Sequence, residues 1–477
     1  MEPEAGKQSM NSVKKNFIYN IVYQLLIMVI PLITAPYLAR VIGSAGVGTY
    51  SYTYSIVYYF MMITMLGVNN YGNRSIAKAR NDRHQLSKTF WGIYLFQLAL
   101  GILMLVLYLG FTFFFEVKYT KIALIQSLFI ISAILDINWF YFGLEKFKIT
   151  ITRNAVLKIL SVILIFGFVR HSDDLWKYTL IMSGTTVLSQ LVLWTVIRKE
   201  IELVKISLHD ITQHIKSNLV LFIPVIAVSL YKMMDKIMLG YLVNVTEVGY
   251  YENAEKIMNI PQTFIAALGT VMLPRMSNMV SKGNRKEMNR YIERSIDFIM
   301  FMSFGMCFAL IAVGYHFAPW YFGAEFQKTG ILIMMLAVTL PFVSFANVIR
   351  TQYLIPVEKD KEYVISVQLG AVVNFVINLM LIPAMASTGA CVGTILAEVS
   401  VMGYQTFAVR KELDIRSYLK NSIPFLLKSV VMFAVMYAFN YLEMKSIYRL
   451  LLQVLSGGTV YLLLNFRYVF TLVKNRK

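Results

Sequence analysis

Charge set inside apolar sequence is the feature of this chain that could do chemistry. An apolar run from Leu219 to Leu230 is followed by Lys232, Asp235 and Lys236, and the apolar pattern resumes at Ile237. Ser229, Lys232, Asp235 and Lys236 lie three to four residues apart, a spacing that places them on one helix face. Glu252, Glu255, Asn259 and Gln262 repeat the pattern on the next apolar segment. A charged side chain at a bilayer centre costs roughly 2.5–3.5 kcal/mol on insertion scales, so both faces are expected to look into a protein interior. Internal pairing, for example Lys236 with Glu255, would only glue two helices. Adding Lys158 and Lys256 to Lys232 and Lys236 gives more bases than the acids of these faces neutralise, and a positive surplus in an interior attracts an anion. Arg153, Asn154, Lys158 and Ser161 offer a second polar face. Asp136, Asp235, Glu255 and Glu398 could each take a coupling proton or Na⁺, and the sequence does not rank them.

The elements that must position these residues follow from composition. Of 477 residues, 57% are hydrophobic and 15% charged, and the mean hydropathy is +0.60. Windows of about 20 apolar residues, enough to cross a hydrocarbon core of roughly 30 Å, recur along the chain. The expected fold class is an all-α polytopic membrane protein with about fourteen spans between residues 16 and 470. Its first fifteen residues show no cleavable signal pattern. With an even span count, Lys and Arg divide 32 to 8 between the two sides, which predicts cytoplasmic termini and explains the net charge of +19 without nucleic acid. Cys307 and Cys391 lie in apolar segments and read as core residues.

The chain also repeats. A shift of 201 residues lays Val47-Gly48-Thr49-Tyr50 onto Val248-Gly249-Tyr250-Tyr251, in each case within the turn that joins the first two spans of a lobe. The expected organisation is an N-lobe of six spans over 1–198, an amphipathic cytoplasmic linker helix over 199–217, a C-lobe of six spans over 218–410, and two further spans with a cytoplasmic tail over 411–477. The lobes would form a parallel pseudo-twofold repeat about the membrane normal. The same shift lays Glu255 on Tyr54 and Asn259 on Tyr58, within a run containing Tyr50, Tyr52 and Tyr59. The first span adds Tyr19, Asn20, Tyr23 and Gln24. Aromatic rings with hydroxyls suit stacking on sugar faces, and tyrosines near an interface also anchor helices. Gln368, Asn374 and Asn378 read as interhelical polar glue, and Gly389 with Gly393 as a small-residue packing face.

Enzyme signatures are missing. No GxxxxGK[ST], HExxH or GxSxG occurs, and the five histidines lack ligand spacing, so neither an enzyme nor a metal site is expected.

Six stretches stand out together: Pro36-Tyr-Leu-Ala-Arg-Val-Ile-Gly43, Gly67-Val-Asn-Asn-Tyr-Gly-Asn-Arg-Ser-Ile-Ala77, Trp139-Phe-Tyr-Phe-Gly-Leu-Glu145, Asp235-Lys-Ile-Met-Leu-Gly240, Gln352-Tyr-Leu-Ile-Pro356 and Gly389-Ala-Cys-Val-Gly-Thr394. With them the chain resembles Wzx-type oligosaccharide flippases of the polysaccharide transporter family, within the superfamily that also holds multidrug extruders and lipid II flippases. The resemblance implies a fourteen-span, two-lobe carrier around a central cavity. It would move undecaprenyl-diphosphate-linked glycan units from the cytoplasmic to the outer leaflet of a bacterial plasma membrane by alternating access. Polysaccharide polymerase and glycosyltransferases are its implied partners. On this reading Lys232, Lys236, Lys256, Lys158 and Arg153 hold the diphosphate, Tyr54, Tyr58, Tyr23 and Gln24 line the glycan path, and Asp235, Glu255 and Asn259 complete the site. No cofactor is expected beyond a coupling H⁺ or Na⁺. A lipid II flippase or a cation-coupled multidrug antiporter is the alternative.

Overall fold

A computed structural model describes residues 3–115 and 117–474, and the side chains of these except 3–28, 117, 220–221, 223–225, 227–228, 230–232 and 473. No β-strand occurs among the described residues. The helices of the first unit are α1 (Pro3–Met65), α2 (Val68–Ala79), α3 (Arg83–Phe114), α4 (Thr120–Ile134), α5 (Asn138–Gly143), α6 (Phe147–Phe168), α7 (Leu175–Ile197) and the short α8 (Leu208–Thr212). Next come α9 (Ile215–Leu242), α10 (Val245–Ser281), α11 (Arg285–Phe322), α12 (Gln327–Ala337) and α13 (Thr339–Ile349). The last are α14 (Asp360–Met385), α15 (Ser387–Val409), α16 (Ile415–Ala438), α17 (Ser446–Leu464) and α18 (Phe466–Lys474). Among the described residues, eleven helices are long and apolar enough to cross a membrane, and the bent pair α12–α13 makes a twelfth if it is one span. The protein is therefore a multi-pass membrane protein.

The expected turn between the first two spans falls inside α1, where two helices join across a kink at Gly43, whose φ of 68° lies where glycine alone is unstrained. The apolar stretches on either side of this kink count as a single span in the tally of eleven.

The chain divides into two compact units, Met1–Ile226 and Ala227–Lys477. In the first, α4 packs against α1, α3 and α7. The aromatic run of α5 supplies the centre of its core: Trp139, Phe140 and Tyr141 are fully buried beside Phe90 and Leu193. Their polar atoms are satisfied, with the Trp139 indole donating to Gln97 Oε1 at 3.1 Å and the Tyr141 hydroxyl to the Leu193 carbonyl at 3.0 Å. Large apolar side chains on α3 such as Val106 and Leu107 stay exposed, as they must on a lipid-facing helix.

The segment read as a linker helix over 199–217 is helical only from Leu208. Upstream, the Trp91 indole takes the Glu202 carbonyl at 3.0 Å and the Glu202 amide donates to Ser87 Oγ at 3.0 Å, so backbone groups are spent on α3 instead of on helix. A capping box of Ser207 and Asp210 then starts α8. Ser207, together with Lys88 at 3.0 Å, holds the Asp210 carboxyl down at about 2. The Tyr71 hydroxyl meets His214 Nδ1 at 2.7 Å, and α9 begins against α2.

Gly67 marks that junction. Its φ is +81°, and a Cβ there would stand 2.7 Å from the Asn218 carbonyl oxygen. Gly67→Ala therefore meets backbone strain and a backbone clash together. We expect a loss of about 1–3 kcal/mol, read as a lower melting temperature of the purified protein in detergent; an unchanged melting curve would contradict this close approach.

In the second unit α11 is the centre, packed on α12, α13, α16 and α17. α17 docks through Tyr461, whose hydroxyl donates to the Phe301 carbonyl at 2.7 Å. α14 and α15 form the most intimate pair, because a Cβ on Gly389 would lie 2.6 Å from the Leu381 carbonyl oxygen. This is the small-residue face expected from Gly389 and Gly393.

Candidate functional site

Two polar cavities lie within the apolar helices, one in each unit. In the second unit a cavity of about 380 Å³ opens between the end of α9, α10, α13 and α15. Asn244 starts α10 by accepting the Glu247 amide at 3.0 Å, which orients Tyr251 and Glu255 one turn apart. Asp235 is 3% exposed and is held entirely by neutral donors. Its Oδ2 accepts from the Tyr251 hydroxyl at 2.7 Å and Thr394 Oγ1 at 3.1 Å, and its Oδ1 accepts from Asn378 Nδ2 at 2.6 Å. Asn378 Oδ1, fully buried, finds no donor. Here is a carboxylate with an additional lone pair beside it and, among the described residues, no cation bonded to it, a donor set that a small monovalent cation or a proton could use.

Lys236 does not share that face. Successive helical residues are about 100° apart, so Asp235 turns to α14 and α15 while Lys236 turns to α10, where it bridges Glu252 at 2.7 Å and Glu255 at 2.8 Å. Glu252 also receives Lys256 at 3.5 Å. Among the described side chains, the charged groups lining this cavity are Asp235, Glu255, Glu398 and Lys236, and pairing between adjacent helices spends this lysine on two glutamates. Asn259 lines the same cavity. The side chain of Lys232 lies outside the described residues.

In the first unit a cavity of about 230 Å³ lies between α5, α6 and α7. Chain breaks around Leu135–Ile137 bring Asp136 to the start of α5, where its Oδ1 accepts the Asn138 amide at 2.8 Å and Asn138 Nδ2 at 2.7 Å. Arg153, buried, donates to Asn138 Oδ1 at 2.9 Å and Asn154 Oδ1 at 2.6 Å, and Ser189 adds a hydroxyl to the latter at 3.2 Å. With that oxygen occupied, the Asn154 amide faces the cavity as a donor. Lys158, half-buried one turn further, has no ion pair or hydrogen bond to its ammonium among the described residues. A fixed guanidinium, an ammonium with no partner among the described residues and amide donors around one cavity are a set that could receive an anion.

One residue links this cavity to the clusters on which the tyrosines of α1 pack: Met182 lines it and also packs on the same two apolar clusters as Tyr50 and Tyr54 respectively. Tyr50, Tyr54 and Tyr58 form a ladder along α1, with ring centroids 5.9 and 6.4 Å apart, and Tyr54 sits edge-on to Phe129 at 5.2 Å. Tyr54 and Tyr58 are half-buried, and the side chains of Tyr23 and Gln24 lie outside the described residues. The structure thus joins Arg153, Lys158, Tyr54 and Tyr58 in one unit, and Asp235, Lys236, Lys256, Glu255 and Asn259 in the other.

The model of the family described as polysaccharide biosynthesis protein matches residues 13–280, more than half of the chain. The chain belongs to the polysaccharide biosynthesis protein family. It is similar to a protein of Escherichia coli (strain K12) named "Putative O-antigen transporter", 25% identical over 413 residues, with 84% of this chain and 97% of that protein covered. It also resembles "Lipid II flippase MurJ" of Bacillus subtilis (strain 168), 22% identical over 184 residues that cover 37% of this chain and 34% of that one. Among solved structures it shares the fold of lipid II flippase MurJ in an inward closed conformation, with a TM-score of 0.75, 16% identity and coverage of 95% of this chain and all of the other. An inward-facing multidrug resistance MATE family transporter follows with a TM-score of 0.59, 11% identity, and coverage of 82% and 99%.

For this member of the polysaccharide biosynthesis protein family, several site residues escaped sequence reasoning. Asn138 and Ser189 carried no charge or spacing signal. Thr394 stood only in a stretch that carries the family resemblance, and Asn378 looked like polar glue. The useful signal was their coincidence with a buried acid, which needs donors, and only the fold says which segment supplies them.

Proposed function

We propose that this chain is a flippase that moves undecaprenyl-diphosphate-linked oligosaccharide repeat units from the cytoplasmic to the outer leaflet of a bacterial plasma membrane by alternating access. Its named O-antigen transporter relatives support the substrate class. The observation that carries the chemistry is the junction in the first unit of an anion site at Arg153 and Lys158 with the tyrosine ladder at Tyr54 and Tyr58, a pairing suited to a diphosphate joined to sugar rings. Glycosyltransferases that build the unit and a polymerase that consumes it are the partners this reading implies.

Fourteen spans and two six-helix lobes belong to the same proposal. Splitting α1 at Gly43, counting α12–α13 as one span and adding α9 to the eleven reaches that number. The break at Gly43 corresponds, under the 201-residue shift, to Asn244 between α9 and α10, which supports a parallel repeat. The excess of Lys and Arg on one set of loops supports cytoplasmic termini. Asp235 is our choice for the coupling H⁺ or Na⁺, because it is buried and its hydrogen-bond partners among the described residues are all neutral donors.

The acid-rich cavity of the second unit favours one alternative, a cation-coupled multidrug antiporter. Depletion of the protein in its host separates the two. The flippase reading expects lipid-linked repeat units to accumulate in the cytoplasmic leaflet, with loss of surface polysaccharide. Normal surface polysaccharide with raised sensitivity to cationic drugs would overturn it.

A further inference from the structure

A third cavity, of about 460 Å³, lies at the end of the first unit where α2 and α7 finish and α3 and α6 begin, away from both sites described above. Its charged lining is Arg80, Arg83, Lys146, Lys199 and Glu200, over a floor that includes the buried Leu86. Two of the four cations are spent: Arg80 bonds Glu145 at 2.8 Å and Lys146 pairs with Glu200. Arg83 and Lys199 have no ion-pair or hydrogen-bond partner for their side chains among the described residues. Arg83 opens α3, whose first backbone amides are already taken by the Asp82 carboxylate at the N-cap, so the helix end itself is offset and the charge on offer in the pocket is that of the Arg83 and Lys199 side chains. Two cations facing one concavity attract an anion between them. Beside the pocket, Phe142 and Phe147 stack at 5.8 Å with Phe147 exposed, an aromatic pair of the type found at the edge of the hydrocarbon.

We propose that this pocket binds the phosphate of an anionic phospholipid headgroup, with Arg83 and Lys199 as the contacts and the acyl chains running past Phe142 and Phe147. This site is independent of the transport reading, since none of its residues lines either transport cavity.

The test uses the purified full-length chain and vesicles of phosphatidylcholine with or without phosphatidylglycerol, read by co-flotation. The wild type is expected to prefer the phosphatidylglycerol vesicles, and Arg83→Ala with Lys199→Ala to lose that preference about tenfold. Arg83→Lys with Lys199→Arg keeps the charge and is expected to keep binding. A control pair outside the pocket, Lys205→Ala with Lys282→Ala, removes equal charge and is expected to change little. Equal losses in the pocket and control pairs would reduce the effect to general surface charge and overturn the site, as would an unchanged preference in the pocket variant. Full displacement of the lipid by low millimolar inorganic phosphate would show a free-anion site and overturn the lipid assignment.

Discussion

Lys158→Leu is expected to abolish polysaccharide export while raising the melting temperature of the protein. The two effects come from one fact: the ammonium is half-buried in α6 and has no partner of its own. An unpaired charge in an apolar helix costs folding free energy, so an apolar replacement relieves it. A bound phosphate would supply the missing partner, and a charge-assisted hydrogen bond to it is worth about 1.5–3 kcal/mol, or roughly a 10- to 100-fold loss of affinity on removal. Lys158→Arg should retain most export. The measurements are surface polysaccharide in a complemented deletion strain and thermal melting of the purified variant. Full export by Lys158→Leu would remove the anion site from the transport path. Arg153 makes a poorer test, because it also holds Asn138 and Asn154 and its loss would disturb the α5–α6 packing.

Asp235→Asn should leave the protein inserted but uncouple it from any ion gradient. The carboxylate accepts from Tyr251, Thr394 and Asn378, and an amide can accept with only one of its two ends. One donor is then stranded, at a cost of about 1–3 kcal/mol, and the negative charge available to a cation is gone. Reconstituted vesicles should show wild-type transport that responds to an imposed Na⁺ or proton gradient and a variant that responds to neither. A variant still driven by a gradient would move the coupling role elsewhere, Glu398 being the next acid in that cavity. Lys236 offers no comparable separation of effects, since removing it leaves Glu252 and Glu255 facing each other.

The helices were legible because apolar length is a local property: the expected spans over 89–115, 291–315 and 419–441, for example, fall on α3, α11 and α16, and eleven to twelve candidate spans stand among the described residues. Gly389 and Gly393 announced their close contact for the same reason. The Trp139-Phe-Tyr stretch was quoted only for its resemblance, and its place at the centre of a core needed Gln97 and Leu193, which are distant in sequence. Charge was harder to read. Counting bases and acids gave a surplus, but whether that surplus is free depends on which helix each side chain faces. Lys236 meets two glutamates and Lys158 meets none, a difference that spacing along one helix cannot show. The helical reading of 200–207 failed because its apolar period competes with backbone partners on α3.

α9 has a consequence for dividing the gene. The boundary between units falls at Ile226–Ala227, inside this unbroken helix, so no loop separates the halves. The extended stretch before Ser207 is where an engineer would cut. That cut would leave Tyr71 and Gly67 on one polypeptide and their partners His214 and Asn218 on the other. The halves are therefore not portable modules: a chimaera that exchanges one of them for a relative's must carry the first turns of α9 with the N-terminal fragment.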